Sequence, residues 1–376
     1  MSRSDFETVG LDLPKGDELR GEDTAFHLTI GRGPQRLTLR DHGVLEVDMR
    51  HFVRRLQTLA KEAGAVLVEH VTVEAVDGHM VRTAEGEVEA TVIADASGLR
   101  GAGVLASRPV RRDDLCAAAQ SVFAVADPAG ARAFLDQHGV AEDETLCFSG
   151  VAGGYSILNV RVAHGEVGLL TGSIPADGHS SGSRLIEAFV AEQPWVGERL
   201  FGGARTIPLG PPQPVLARGH RARIGDAAGQ VFAAHGSGIG PGMQAAKLLA
   251  DTLAQGGTPQ DYATQWMRTH GGVFAAYDCF RRFSQRRTLE DLRTLFRTGL
   301  IDEPGAAAAL GQRLPEPDAA LLARVPAGLW RAGPGIARDL AATASRMIAA
   351  MATYRVYPRS GALQPGWSRL AARLDR

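Results

Sequence analysis

The sequence predicts an α/β chain in three parts: a strand–turn–helix region, an antiparallel β segment set into it, and a helical C-terminal region. Three observations carry this. Residues 221–254 read as a short β-run from Arg221 to Ile224, an acidic turn at Gly225 and Asp226, a small-residue loop, and a helix opened by Gly236, Gly238, Gly240 and Gly242. Residues 106–205 alternate apolar and polar positions in several short runs, as in a sheet with one face buried. Tyr262–Leu300 and Pro334–Tyr354 place apolar residues at helical spacing.

Taken in order, residues 1–45 are polar and rich in loop formers, with one hairpin expected from Phe26–Ile30 and Arg36–Leu39. Val47–Ala63 is a predicted helix. Asp48 suits its N-cap, Phe52, Val53, Leu56, Leu59, Ala60 and Ala63 share one face, and Gly64 is the stop. Strands are expected at Ala65–Val68, Val71–Val76, Met80–Thr83 and Glu87–Asp95, with an Asp77-Gly78 turn between the second and third. The alternating runs that follow are Ala117–Val125, Thr145–Phe148, Gly154–Val160 and Val167–Thr171; Pro128–His138 interrupts them as a helix. Ser183–Gln193 is a second helix before Pro194, and the proline-rich residues 202–220 lead back to the strand at 221. From Met243 the apolar positions Ala246, Leu249, Ala250 and Leu253 continue the central helix. Within Tyr262–Leu300 the cluster Arg281, Arg282, Arg286 and Arg287 reads as a solvated helix face, with an anionic ligand as the sharper alternative. Residues 301–332 read as short helices and loops. Pro334–Tyr354 carries Ile336, Leu340, Met347, Ile348 and Met351 on one side; core packing is the plain reading, and contact with a membrane surface the alternative.

Composition bounds the function. With 376 residues, 44% hydrophobic and 22% charged, the chain reads as soluble and globular. A net charge of −1 argues against a nucleic-acid partner. Cys116, Cys147 and Cys279 are far apart and form no C-x-x-C, so neither a metal site nor a disulfide framework is expected, and a reducing, cytoplasmic compartment fits. The polar start MSRSDFETVG is not a signal peptide, and no apolar run is long enough for a bilayer span. No triad, metal-ligand spacing or nucleophile elbow appears, so no catalytic residue is assigned.

The chemistry of 221–254 is that of a ligand cradle. Glycines at a helix start let a ligand approach bare backbone, and free N–H groups with the positive dipole end attract electron-rich groups. Asp226 is placed to accept hydrogen bonds from sugar-like hydroxyls. The spacing is not G-x-G-x-x-G, because Pro241 and Met243 stand where its last glycine would fall. A tight connection that needs glycine for geometry alone is the competing reading.

This stretch resembles the G-D-A-A-G…G-x-G-I segment of flavoproteins with the p-hydroxybenzoate hydroxylase fold, most of all the geranylgeranyl reductase branch. Gly225, Asp226, Ala227, Ala228, Gly229, Gly236, Gly238 and Ile239 match it, although FAAHG stands where the family has a proline. VIADASGLRG, with Asp95 and Gly98, is similar to the second FAD segment. In GGYSILNVR, Gly153, Gly154 and Tyr155 match the reductases' G-G-Y-x-W-x-F-P, while Ile157, Asn159 and Val160 replace its Trp, Phe and Pro. The helix before 65 resembles V-D-R-x-x-F-D, with Met49 at the arginine and Arg50 one place late.

The resemblance implies an incomplete Rossmann-like FAD-binding domain in two parts, residues 1–105 and 206–300, around an antiparallel β substrate domain, 106–205, and followed by a C-terminal helical region, 301–376. It implies FAD held by Asp95, Gly98, Gly225, Asp226, Ala228, Gly236, Gly238, Ile239 and Gly240, and a substrate beside Tyr155, Ile157 and Asn159. The implied reaction is hydride transfer from reduced flavin to an alkene or related apolar substrate, with NAD(P)H a candidate electron donor. A monooxygenase or halogenase-like activity on an aromatic or carrier-bound substrate is the alternative, although the halogenases' G-W-x-W-x-I-P is absent. The family opens with a βαβ unit carrying G-x-G-x-x-G, and residues 1–45 contain no such motif. Three expectations follow: a truncated start, a second polypeptide that completes the FAD site, or a catalytically inactive or partner-dependent subunit without FAD.

Overall fold

The computed structural model describes residues 1–316 and 319–374. The first helix, α1 (Arg3–Val9), falls in a region expected to be loop. At seven residues it is too short to show a period. A capping box, in which Ser2 and Asp5 each satisfy the other's backbone, starts it, and left-handed Gly10 ends it. Its anchor Phe6 is buried against Phe52, ring centroids 5.5 Å apart. Strands β1 (Leu19–Gly21), β2 (Phe26–Ile30), β3 (Arg36–Leu39) and β4 (Glu46–Val47) follow, β1 pairing with β4 and β2 with β3 as the expected hairpin.

Helix α2 (Met49–Glu62) has the expected N-cap, Asp48 Oδ1 accepting from the Arg50 N–H at 3.0 Å. Its apolar stripe is only half covered: Phe52 is buried, but Val53 and Leu59 are exposed. The strand expected at Ala65–Val68 does not form; the segment makes no ladder, and Val66 keeps 86% of its surface open. Apolar alternation describes a strand, but a ladder needs a partner edge, and none lies beside it among the described residues. Next come β5 (Val73–Asp77), β6 (Met80–Thr83) and β7 (Gly86–Glu89), a small antiparallel sheet, and β8 (Ile93–Asp95). The single strand expected over Glu87–Asp95 is thus two strands in different sheets.

β9 (Leu115–Val125), β10 (Thr145–Ser149), β11 (Ser156–Ala163), β12 (Glu166–Ser173) and β13 (Val196–Pro208) build the main sheet, with order β13-β9-β12-β11-β10-β2-β3. All its pairs are antiparallel except β10 with β2. The hairpin from the first 40 residues therefore joins the sheet supplied by 115–208. One sheet face, with Leu158, Val160 and Leu169, buries against Phe134 of α3 (Pro128–His138), Phe189 of α4 (Gly182–Glu192) and Trp195. Register puts Ile157 and Asn159 on the opposite face, across from Gly172 and Leu170.

β14 (Ala217–Arg218) and β15 (Arg221–Arg223) form a hairpin, and β15 runs parallel to β8. Helix α5 (Ile239–Ala254) leads to α6 (Pro259–Trp266), a π-turn at Met267–Gly271, α7 (Gly272–Gln285) and α8 (Leu289–Arg297). α9 (Glu303–Leu310), α10 (Ala319–Ala332), α11 (Pro334–Arg355) and α12 (Gln364–Ala371) complete the chain. Trp266, Met267, Phe274, Tyr354, Tyr357 and Trp367 form the core of this helical part together with Phe232.

The arginines of α7 are not a solvated face. Arg281 is fully buried and Arg282 largely covered, both held by Asp114 and Asp278, while just past the helix Arg287 pairs with Asp339 and Arg286 alone of the four is exposed. Spacing places these arginines on a helix, but only the fold brings Asp114, from just before β9, against them.

Candidate functional site

The site begins where β8 and β15 end side by side. Asp95 lies opposite Arg223 in the parallel register, and its carbonyl accepts from the Ile224 N–H at 2.9 Å. Asp95 and Asp226 therefore occupy the carboxyl ends of adjacent parallel strands, the position at which open α/β sheets bind ligands. The two carboxylates have different tasks. That of Asp95 accepts from Ser97 N at 3.0 Å, Ser97 Oγ at 2.5 Å and Ala102 N at 3.2 Å, so it shapes the loop containing Gly98. That of Asp226 has no hydrogen bond or ion pair among the described residues, and burial pushes its pKa up. It borders a cavity of about 220 Å³ lined also by Arg108, Arg111, Arg282 and Gly229.

A buried network holds the acidic turn. The Gly225 N–H donates to Gln230 Oε1 at 2.7 Å, Gln230 Nε2 to Tyr262 Oη at 2.9 Å, and Tyr262 Oη to the Arg223 carbonyl at 3.0 Å. Ala228 is fully buried beneath this turn. The sequence marks Gln230 only as a lone polar residue inside the apolar run AAGQVFAA.

Helix α5 begins at N-cap Gly238 without a side-chain cap and without an acid in its first turn. Ile239, its first residue, is 45% exposed. A Cβ on Gly238 would stand 3.0 Å from Asp226 Oδ1, so bare backbone is what lets the carboxylate and helix start meet. At Gly240 a Cβ would overlap the carboxyl of Asp5, which α1 docks there and Gln244 Nε2 holds at 2.8 Å. Gly240→Ala is therefore expected to push α1 off α5 at a cost of about 1–3 kcal/mol. Urea unfolding, with proteolysis of the N-terminal segment, checks this.

Gly236 brings in the sheet. A Cβ there would lie 3.7 Å from Leu209 and 3.9 Å from Tyr155 Oη. Tyr155 packs in an apolar cluster with Cys116, Ile174, Leu209 and Val231. Burial raises its pKa, so the phenol stays protonated. Its hydroxyl has no hydrogen-bond partner among the described residues. Ile157 and Asn159 continue along the same sheet face, about 6.6 Å per two residues, and Asn159 Oδ1 is buried without a partner. Arg50, one place late in the sequence, pairs with Asp48 Oδ2 at 2.5 Å and lies 3.8 Å over the Phe201 ring.

No sequence pattern singles out His235, next to Gly236. Its Nε2 is buried without a partner, and burial pushes its pKa down from 6.5 to about 4. Its protonated form is penalised in the fold, so its contribution is complete above pH 6.5 and is lost as pH falls towards 4. Urea unfolding at pH 7 and pH 5 is expected to differ by about 2 kcal/mol on this account. His235→Phe should flatten that difference.

These residues fit a flavin-type group. Asp226 offers acceptors to hydroxyls, the adjoining cavity sets Arg108, Arg111 and Arg282 beside Asp114, and the glycine turn under Tyr155 leaves backbone open to a flat ring. No cluster of metal ligands occurs among the described residues.

No family model matches the sequence, and no curated protein is significantly similar to it. Solved structures are. A geranylgeranyl bacteriochlorophyll reductase-like protein from Thermoplasma acidophilum superposes with a TM-score of 0.67 at 15% identity, covering 91% of this chain and 88% of that one. A flavin-dependent brominase gives 0.56 at 15% identity, over 86% of this chain and 82% of its own. A 2-methyl-3-hydroxypyridine-5-carboxylic acid oxygenase variant gives 0.51 at 16% identity, over 84% and 85%. The chain therefore has the fold of this group of structures, with Asp95 and Asp226 at the paired strand ends and the antiparallel sheet laid against the glycine-rich turn.

Proposed function

We propose that the chain is an FAD-dependent oxidoreductase of the geranylgeranyl reductase type, acting on an alkene or related apolar organic substrate. The observation that carries this is the unpartnered Asp226 carboxylate at the carboxyl end of β15, beside the uncapped start of α5 and the glycine turn under Tyr155. Bound reduced flavin would supply the hydride. Asp226 binds hydroxyls of the cofactor chain, Gly236 and Gly238 admit the ring, and Asp95 keeps the Gly98 loop in shape. Tyr155, Ile157 and Asn159 line the substrate side. The raised pKa of Tyr155 suits a hydrogen-bond donor that keeps its proton. Tyr155→Phe is therefore expected to weaken turnover or KM by about 2–12-fold, the worth of one neutral hydrogen bond, rather than to abolish activity.

A further strand–turn–helix unit added at β8 would complete the site. β8 ends its three-stranded sheet with a free edge among the described residues. Flavin binding tests both parts. Titration with FAD and with FMN, read by flavin fluorescence and absorbance, should show binding of both, with affinities within about tenfold of each other, because this chain holds the ring and ribityl end. Protein that binds neither flavin would sink the reading. A flavin-dependent monooxygenase is the second reading, supported by the fold shared with the oxygenase. Oxygen uptake coupled to hydroxylated product would select it; anaerobic alkene reduction would select the first.

A further inference from the structure

We propose that helices α10–α12 form a surface that seats the protein on an anionic lipid bilayer. Charge is the first observation. Residues 319–374 hold eight arginines and one acid, Asp339, whereas the whole chain sums to −1. Asp339 is itself engaged by Arg287 at 3.0 Å, from outside the stretch. Arg346, Arg355, Arg369 and Arg373 enter no ion pair among the described residues. Such a concentration of positive charge favours an anionic surface by about 1 kcal/mol per arginine close to it.

Exposed apolar side chains are the second observation. Trp330 is 85% exposed, Ile348 68%, Leu363 66%, Val356 62% and Leu370 46%. Trp330 stands near the end of α10, Ile348 within α11, and Val356 just past its end. Arg338, Ala341, Ser345, Ile348, Ala352 and Arg355 follow one another at three- and four-residue steps along the open face of α11, a helix about 33 Å long. The protruding groups are thus spread over α10, α11, α12 and the turns between them rather than gathered on one element. A protein partner needs clustered anchors in a packed centre. A fluid headgroup layer accepts scattered tryptophan and aliphatic side chains flanked by cations. A nucleic acid would call for arginines without the aliphatic projections. No described helix is long and apolar enough to cross a membrane, so the contact lies along the surface.

The proposal goes beyond the flavin reading, and its test does not depend on flavin. The full chain is mixed with vesicles of phosphatidylcholine alone, and with vesicles of equal parts phosphatidylcholine and phosphatidylglycerol. It should sediment with the anionic vesicles, release with added salt, and remain free with the neutral ones. Trp195, Trp266 and Trp367 are buried, so a blue shift of emission on binding reports Trp330 and should vanish in Trp330→Phe. Ile348→Glu should weaken vesicle binding by about tenfold or more, with an unchanged thermal melt because the site is exposed. Arg346→Glu with Arg355→Glu is the second variant, should the first disturb folding. Failure to sediment with anionic vesicles, or equal binding by both variants, overturns the proposal. So would loss of a dimer in Ile348→Glu without vesicle binding, which would give this face to a second copy of the chain.

Discussion

Replacing Asp278 by alanine is expected to destabilise the fold by about 3–5 kcal/mol, because it strands a buried positive charge. Arg281 is completely buried and Asp278 is 2% exposed. Arg281 Nη2 reaches Asp114 Oδ1 at 2.6 Å and also Asp278; Arg282 reaches Asp114 at 2.7 Å and Asp278 at 2.9 Å. Two cations and two anions thus balance in a closed group, and Arg281 Nη1 adds a bond to the Asp113 carbonyl at 3.0 Å. Removing one carboxylate leaves the group unbalanced around Arg281, whose side chain is wholly shut off from water. Asp278→Ala combined with Arg282→Met restores the balance of charge and should recover most of the loss, since a buried pair exchanged for apolar groups is often close to neutral. Urea midpoints of the single and double variants decide the matter. A loss below about 1 kcal/mol for Asp278→Ala would mean that the group is solvated. The same cluster ties α7 to the start of β9, so the helical part and the sheet should loosen together.

Asp226→Ala should weaken FAD binding by about 10–150-fold, the range for a hydrogen bond to a charged group. The carboxylate has no competing partner among the described residues, so its acceptors are free for the ligand. Its raised pKa is a mark of burial without a cation, and binding should therefore weaken as acid protonates it. Asp226→Asn keeps one acceptor and should fall between wild type and alanine. Asp95→Asn serves as the contrast. That carboxylate is engaged by Ser97 and Ala102, so the change should loosen the Gly98 loop and alter proteolysis there before it alters affinity. Equal affinity of wild type and Asp226→Ala, measured by quenching of flavin fluorescence, would remove Asp226 from the site.

Much of the local structure is legible residue by residue. The Asp48 cap, the hairpin at 26–39, the helices at 128 and 334 and the strand–acid–glycine–helix order at 221–254 all follow from patterns a few residues wide. Where a pattern needed a distant partner, it misled. Ala65–Val68 alternates like a strand yet has no edge to pair with, and Glu87–Asp95 breaks because its two ends join different sheets. The arginines of α7 look like surface residues until Asp114, more than 160 positions away in the chain, closes on them.

By itself the sequence determined the element types, their caps and the chemistry available at the glycine-rich turn, because propensity, capping and period act within one or two turns of chain. The tertiary structure alone decided that Asp95 shapes a loop while Asp226 stays open, that Tyr155 meets Gly236, and that Asp5 rests on Gly240. Those outcomes depend on which groups reach one another across long separations, and burial and hydrogen-bond satisfaction are settled only when all of the chain has packed.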